Sequence, residues 1–518
     1  MADGYEEVNI GPFVGGLNTL SDQTSIGDTE LFQCDNFELD QDGSLLSRPP
    51  VRKLSISLAS GKALKLIGYF VDTSTGNYYL IGTDRSSTTY YLSGGVWQTI
   101  TATFAATSCI QFMDKLYLLA PFNSANPSGS WTPSGGFTAI ANMAKGACVV
   151  QLKSRLFVAQ GKNATSNGTR VYVSKLNDPS LAWDYFDVSQ GDGENVVDMC
   201  IYNSDIIIFK QRSTWRFAYG SDPTTGYLTT ISHTIGINDT GCWVAWEEDL
   251  FTVFNNGVYE FTNYNYNRLN VTVPLKSDNP SASLTETLSI SAWSYRIFIS
   301  YFEKLYVYNL KNRTWSTWTS TNVHSFGRFF PIPFQQSERP VTYLYSTQPA
   351  GTDGEANVLF QVVDLIETSN LVDPATFENF VCTAETKNYD YQSPSIWKRL
   401  REWGADCLTR ANISVYAQPV MYGTKLTWGD AKLRTWGAAK AFTWGRPTSV
   451  DIVVPDNVSI QDITNGRKYI KFLKSVRFRQ ISFKVEANTT GTLSDAPIRV
   501  YRLTTYVKEK SRVARKLN

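Results

Sequence analysis

Histidine is nearly absent from this chain: 518 residues hold two, His233 and His324. A Ser-His-Asp triad would have to use one of them, and neither lies near a G-x-S-x-G elbow. No H-E-x-x-H pair and no G-x-x-x-x-G-K-S/T phosphate loop occurs. Cysteine is sparse: seven residues, scattered singly, with no C-x-x-C. An odd, unpaired set argues against a disulfide framework or a structural zinc site. No apolar run reaches the length of a membrane-spanning helix, so none is expected. The first residues, MADGYEEVNIG, lack the apolar core of a signal peptide. The formal net charge is +1, so the molecule as a whole has no electrostatic reason to seek nucleic acid or an anionic membrane. Long amphipathic helices rich in Ala, Leu, Glu and Lys are missing too. Together these absences leave no expected catalytic residue, metal or cofactor.

What is abundant points one way. Aromatics make up 14% of the chain, and Gly, Thr, Ser and Asn are plentiful. Strands favour aromatic and β-branched residues, and turns use Gly, Asn and Asp, so the class is all-β. A repeat runs through the centre. CIQFMDKLYLLA from Cys109, CVVQLKSRLFVA from Cys148, CIYNSDIIIFK from Cys200 and CWVAWEEDLFTVF from Cys242 share one form. Each has a small residue, a short apolar strand, a polar turn and a second apolar strand. Segments around Gly68 and Ala292 match it. A spacing of about 40–50 residues with several short strands per unit is the mark of a β-propeller blade. With one more unit between Asn322 and Leu365, about seven blades are expected. Innermost strands crowd around the axis, so the small residues are read as packing positions at matching depth, and Cys serves there as a small hydrophobe.

The expected organisation is an N-terminal arm with a hairpin over 1–58, a β-propeller over 59–366, a C-terminal antiparallel β-sandwich over 367–507 and a basic tail over 508–518. The arm has too few apolar residues for a core of its own. It is read as a strap onto a neighbour, with SLLSRPPVRKLSIS lending an edge strand to the last blade. The sandwich is read from short alternating runs such as ANISVYAQPV and VRFRQISFKVEAN. Within the arm, NFELDQDGSLLSRPP resembles the front of a calcium loop. Such a loop needs a closing bidentate Glu. After Asp40 and Asp42 no acid follows in reach and Arg48 arrives, whereas Asp-Gly suits a tight hairpin turn. The turn reading is preferred.

Several other segments carry candidate chemistry. His233, in TISHTIG, reads as an ordinary strand residue, and His324 has no apparent partner. Glu247, Glu248 and Asp249 read as the solvent-facing turn between two blade strands. Ser174 to Trp183 resembles the aspartate box of sialidases, but occurs once and lacks the central Gly, so it reads as a structural turn. Three Thr-Trp-Gly triplets place Trp428, Trp436 and Trp444 eight residues apart. An even step keeps strand residues on one face. The three indoles are read first as packing or subunit-interface residues, with a glycan platform as the alternative. GRKYIKFLKSVRFRQ holds six cations and no acid, among them Lys471, Lys474, Arg477 and Arg479. They can bind backbone phosphates in a channel or meet an acidic neighbour; an ordinary strand with one charged face looks the same.

The N-terminal segment GPFVGGLNTLSDQTSIGDTELFQCDNFELDQDGSLLSRPP carries a pattern of its own: Gly15-Gly16-Leu17-Asn18, Asp28-x-Glu30, Cys34-x-Asn36, Gly43-x-Leu45 and Arg48-Pro49. It resembles the N-terminal segment of tailed-bacteriophage tail proteins, the nozzle or hub propellers of short-tailed phages and related minor tail proteins. Residues 171–220 are similar to a family blade with a Ser-x-x-x-Asp-Pro loop, a Trp and a strand ending in Phe209-Lys210. Residues 241–261 are similar to the blade after it. The matches cover less than half of the chain. What the resemblance implies is a non-enzymatic structural component of the virion tail. It implies copies of the chain in a ring, often sixfold, closed through a heterologous interface. Portal or adaptor proteins and tail fibres or spikes would be its neighbours, and phage DNA would pass through the channel without sequence readout. A glycan-binding tail module and a propeller glycoside hydrolase are the alternatives from other classes.

Overall fold

The computed structural model describes residues 5–57, 64–84, 87–220, 226–255, 257–269, 288–301, 304–319, 328–336, 339–347, 358–362, 379–391, 397–408, 412–420, 468–489 and 498–509. Among these residues every regular element is a strand. The chain divides into two compact units. One holds Val51–Tyr306 and Asn322–Glu367; the other holds Met1–Pro50, Val307–Thr321 and Thr368–Asn518.

The first unit is a β-propeller built from antiparallel meanders of four strands. Blade 1 runs Lys65–Val71, Tyr78–Thr83, Thr89–Ser93 and Val96–Thr101; blade 2 runs Ser108–Phe112, Lys115–Leu119, Gly129–Thr132 and Gly136–Ala139. Blade 3 holds Cys148–Leu152, Arg155–Ala159, Arg170–Val173 and Asp184–Asp187; blade 4 holds Val196–Tyr202, Asp205–Lys210, Thr214–Ala218 and Tyr227–Ser232. Blade 5 holds Trp243–Trp246, Asp249–Phe254, Gly257–Thr262 and Asn265–Arg268. Blade 6 holds Ser289–Trp293 and Arg296–Tyr301, followed by the strand that begins at Lys304. Blade 7 combines Phe330–Gln336, Arg339–Thr347 and Val358–Val362 with Val51–Ser57 from the far end of the unit. In that last pairing Val362 stands opposite Val51. The last stretch of the arm, Val51–Ser57, therefore supplies an edge strand to the last blade, as its sequence suggests.

Hairpin chemistry explains the meanders. Two-residue loops between strands with a right-handed twist favour positive φ at both positions. Met113-Asp114, Lys153-Ser154, Asn203-Ser204 and Asn263-Tyr264 all have it, with φ between 46° and 64°. Each pair lies between strand ends in direct register, such as Phe112 opposite Lys115. The cores lie between blades rather than within them. Phe70 and Ile81 of blade 1 pack on Leu116, Leu118 and Trp131 of blade 2. Val150 and Phe157 of blade 3 pack on Met199, Ile206 and Ile208 of blade 4. Leu66 and Leu80 of blade 1 meet Leu359 of blade 7, which closes the ring.

Crowding between first strands accounts for the small residues. A Cβ on Gly68 would stand 2.6 Å from Cys109 Sγ of the next blade. The four repeat cysteines are not at one depth, however. Cys148 is the first residue of its strand, Cys109 the second and Cys200 the fifth, while Cys242 precedes its strand. The requirement is for local space at each blade junction, and that falls at a different step in each blade. All four thiols are pushed up by burial, Cys109 and Cys242 to about 12.

The second unit contains two sheets. One has the order Lys468–Phe478, Lys398–Leu408, Arg499–Glu509, Leu45–Ser47, Phe37–Leu39, with Glu6–Ile10 also on Arg499–Glu509. The other runs Thr314–Trp318, Glu30–Asp35, Val381–Thr386, Gln480–Asn488, Asn412–Val420, with Gly16–Leu17 beside Glu30–Asp35. Burial alternates along Phe483–Asn488 as a half-buried strand requires. Most of the described strands of the N-terminal arm belong to these two sheets. Its described strands pair within this chain, because the sandwich strands offer it the edges and core that it lacks alone. The DQDG segment is a turn: Asp40 N donates to Ser44 O at 2.9 Å, and Gly43 has φ +75°. Asp40 and Asp42 both face the Arg499 guanidinium.

At the centre of this unit Arg48 is fully buried. Its Nε donates to Asn36 Oδ1 at 2.7 Å, Nη1 to Pro49 O at 2.8 Å and Nη2 to Thr319 O at 2.7 Å. The guanidinium lies 4.0 Å from the Phe380 ring centroid. Asn36 has φ 59° and donates through Nδ2 to Thr319 Oγ1 and Val381 O. A buried cation in this setting needs its donors met, and Asn36 Oδ1, Pro49 O and Thr319 O meet three of them.

Candidate functional site

A cavity of about 870 Å³ opens at the hub of the propeller unit. The first strand of every blade lines it, from Leu66 through Cys109, Cys148, Asp198, Trp243 and Ser289 to Phe330. The loops that lead into those strands, at 103–107 and 239–241, complete the wall together with 121–124 and 162–163. A ring of first strands leaves its axis open because backbones cannot converge on a point. The hub is therefore the one place where all blades can offer groups to a single ligand.

The charged part of the wall starts at Asp198, the acid in the otherwise apolar strand VVDMCIY. A register shift between Val196 and Asp198 marks a bulge, a feature that re-aims a side chain. Asp198 Oδ2 accepts from Gly241 N at 2.9 Å and from Trp243 Nε1 at 2.9 Å, while Oδ1 accepts from Met199 N at 2.8 Å. Burial raises its pKa, and the Gly241 and Met199 amides, the Arg328 charge and the Trp243 indole only partly offset that. Gly241 has φ +80°, and a Cβ there would stand 3.3 Å from Arg328 Nη1. The Arg328 guanidinium lies 6.0 Å from the Trp243 ring centroid and 5.6 Å from that of Phe330. Burial draws its pKa down, opposed by Asp198 and Cys242. Beside it Lys162 Nζ pairs with Asp239 Oδ2 at 2.7 Å. Among the described residues no carboxylate comes within ion-pair distance of Arg328. Asp198 accepts from three N–H donors, and Arg328 offers its guanidinium beside two aromatic rings, an arrangement suited to a polar, negatively charged group.

The residues singled out from sequence are not drawn together here. Trp428, Trp436 and Trp444 lie outside the described residues, as do His324 and the tail from 510. Lys471 and Arg477 belong to the strand Lys468–Phe478, opposite Gly404 and Arg399. Lys474 falls at the register shift between Leu400 and Glu402 in the same pairing. Arg479 is exposed, and its guanidinium lies 5.0 Å from the Trp397 ring centroid. His233 is an exposed residue after a blade 4 strand, edge-on to Trp215 at 6.3 Å. Glu247 and Glu248 are exposed in the turn between two blade 5 strands. In the Ser174 loop, Asp178 accepts from Ser180 N, Trp183 Nε1 donates to Pro179 O, and Asn142 Nδ2 donates to Ser180 O, the bonds of a structural turn. Sequence reasoning missed Asp198, Arg328 and the Lys162–Asp239 pair. The available signal was a lone acid inside an apolar inner strand.

No family model matches the chain, and no curated protein matches it. Solved structures similar to it include the extracellular domain of a hybrid two component system from B. thetaiotaomicron, at 10% identity and TM-score 0.44, covering 67% of this chain and 48% of that one. The WD40 domain of Neurospora crassa Pan2 is similar at 10% identity and TM-score 0.42, covering 63% of this chain and 98% of that one. The chain thus spans less than half the length of the former.

Proposed function

We propose that this protein is a non-enzymatic structural component of a bacteriophage tail, a nozzle or hub subunit that forms a ring, extends the DNA channel and anchors neighbouring tail proteins. The observation that supports the reading is where the phage-like residues lie. Gly16, Asn18, Glu30, Asn36, Gly43 and Arg48 all serve the internal architecture of the second unit. A Cβ on Gly16 would stand 2.7 Å from Thr314 Cβ. Asn18 Nδ2 donates to Glu30 Oε2 at 2.9 Å, and Glu30 in turn accepts from Gly27 N at 2.7 Å. Asn36 and Arg48 form the buried node. A pattern shared with tail proteins is here a framework pattern, as suits a stiff scaffold that presents loops to neighbours.

Immunogold electron microscopy of purified virions, with an antibody against this chain, tests the proposal. Label is expected on the tail, at its tip or at its junction with the head. Unlabelled particles whose protein content lacks the chain would overturn it.

A further inference from the structure

We propose that the hub cavity of the propeller is a binding site for a compact oxyanion, a phosphate or carboxylate group, with Arg328 as its receiving cation. This goes beyond the tail reading and does not depend on it.

Three observations carry it. First, the acids of the wall among the described residues are engaged by groups other than Arg328. Lys162 and Asp239 neutralise each other at 2.7 Å. Asp198 turns its oxygens to three N–H donors instead of to Arg328. Second, Arg328 is held in place by surfaces rather than by an acid. Trp243 and Phe330 supply ring faces at 6.0 and 5.6 Å, which restrict the guanidinium plane without using its donors. The Trp243 ring is itself fixed by the bond from its Nε1 to Asp198. Third, Gly241 leaves room on that side, with Nη1 only 3.3 Å from where a Cβ would be. A planar fork of donors, oriented beforehand and facing a polar cavity, is what bidentate oxyanion recognition requires. The volume of about 870 Å³ admits a solute larger than the anion alone, so the anion can be the anchoring group of a small molecule.

Isothermal titration calorimetry of the full chain with inorganic phosphate and with acetate, at constant ionic strength, tests this. Saturable binding of at least one probe is expected. Arg328→Met should weaken it about tenfold or more, because charge-assisted bonds are lost. Preference for phosphate or for acetate then separates the two sources of the oxyanion. Trp243→Phe keeps Arg328 and the cavity but removes the indole N–H, which frees an Asp198 oxygen to compete for the guanidinium. It too should weaken binding, and it keeps the test decisive where Arg328→Met does not fold. Binding unchanged in folded Arg328→Met or Trp243→Phe would overturn the proposal, as would the absence of saturable binding by either probe.

Discussion

Replacing Arg48 should destabilise the sandwich unit more than any exposed substitution, and the structure allows the size to be worked out. The Arg48 guanidinium donates charge-assisted hydrogen bonds to Asn36 Oδ1, Pro49 O and Thr319 O, among its contacts. Each is worth about 1.5–3 kcal/mol before desolvation is counted. Arg48→Met keeps much of the volume and the contact with Phe380, but deprives the Pro49 and Thr319 carbonyls of these donors. Asn36 Oδ1 keeps the amide of Thr319 at 2.8 Å, so its loss is partial. The net cost is about 2–5 kcal/mol, the cost of leaving two buried carbonyls without these donors. A domain has about 5–15 kcal/mol in all, so the shift is large. Arg48→Lys should recover little, because an ammonium cannot span three divergent acceptors. Urea unfolding followed by tryptophan fluorescence measures it, as Trp318 and Trp403 are both buried in this unit. The paired variant is Asn36→Gly, chosen because glycine tolerates the φ of 59°. A double-mutant cycle should give a coupling of about 1–2 kcal/mol. The reasoning fails if Arg48→Met shifts stability by less than about 0.5 kcal/mol, the scale of an ordinary surface change, or if the two substitutions simply add.

Lys210 is fully buried and bound to Asp192 at 2.7 Å, so Asp192→Asn should cost about 2–4 kcal/mol at pH 7 in the same unfolding assay. Burial works to raise the Asp192 pKa, but the hydrogen bonds from Lys210 and the Glu194 amide outweigh it and hold the carboxyl below its ordinary value. A depressed carboxyl contributes fully above about pH 4 and loses that contribution as the pH falls through its folded value. The variant should therefore have a flatter acid limb, and an identical pH profile would contradict the assignment. Gly68→Ala should cost about 1–3 kcal/mol through the clash with Cys109 Sγ, and Cys109→Ala in the same chain should restore most of it. Strict additivity of those two changes in thermal unfolding would count against the packing argument. Met113 is exposed with φ 48° in a two-residue hairpin, so Met113→Asn should stabilise by about 0.5–1 kcal/mol, and a lowered midpoint would refute the strain.

The sequence by itself determined what depends on neighbours along the chain. The blade repeat, the hairpin turns and the DQDG reversal all follow from short-range preferences of backbone and side chain. The small residues at Gly68 and Cys109 announced crowding, because a repeated exception in an apolar strand needs a cause. Tertiary structure decided what depends on which distant strands become neighbours. Arg48 looked like a charge that merely excluded a calcium loop, yet it is a buried centre whose acceptors include Thr319, 271 residues away. The arm looked coreless because its partners, Val381–Thr386 and Arg499–Glu509, come late in the chain. Asp198 and Arg328 lie on different blades, and no local pattern relates them. Only closure of the ring, which brings seven first strands around one axis, makes them walls of the same cavity.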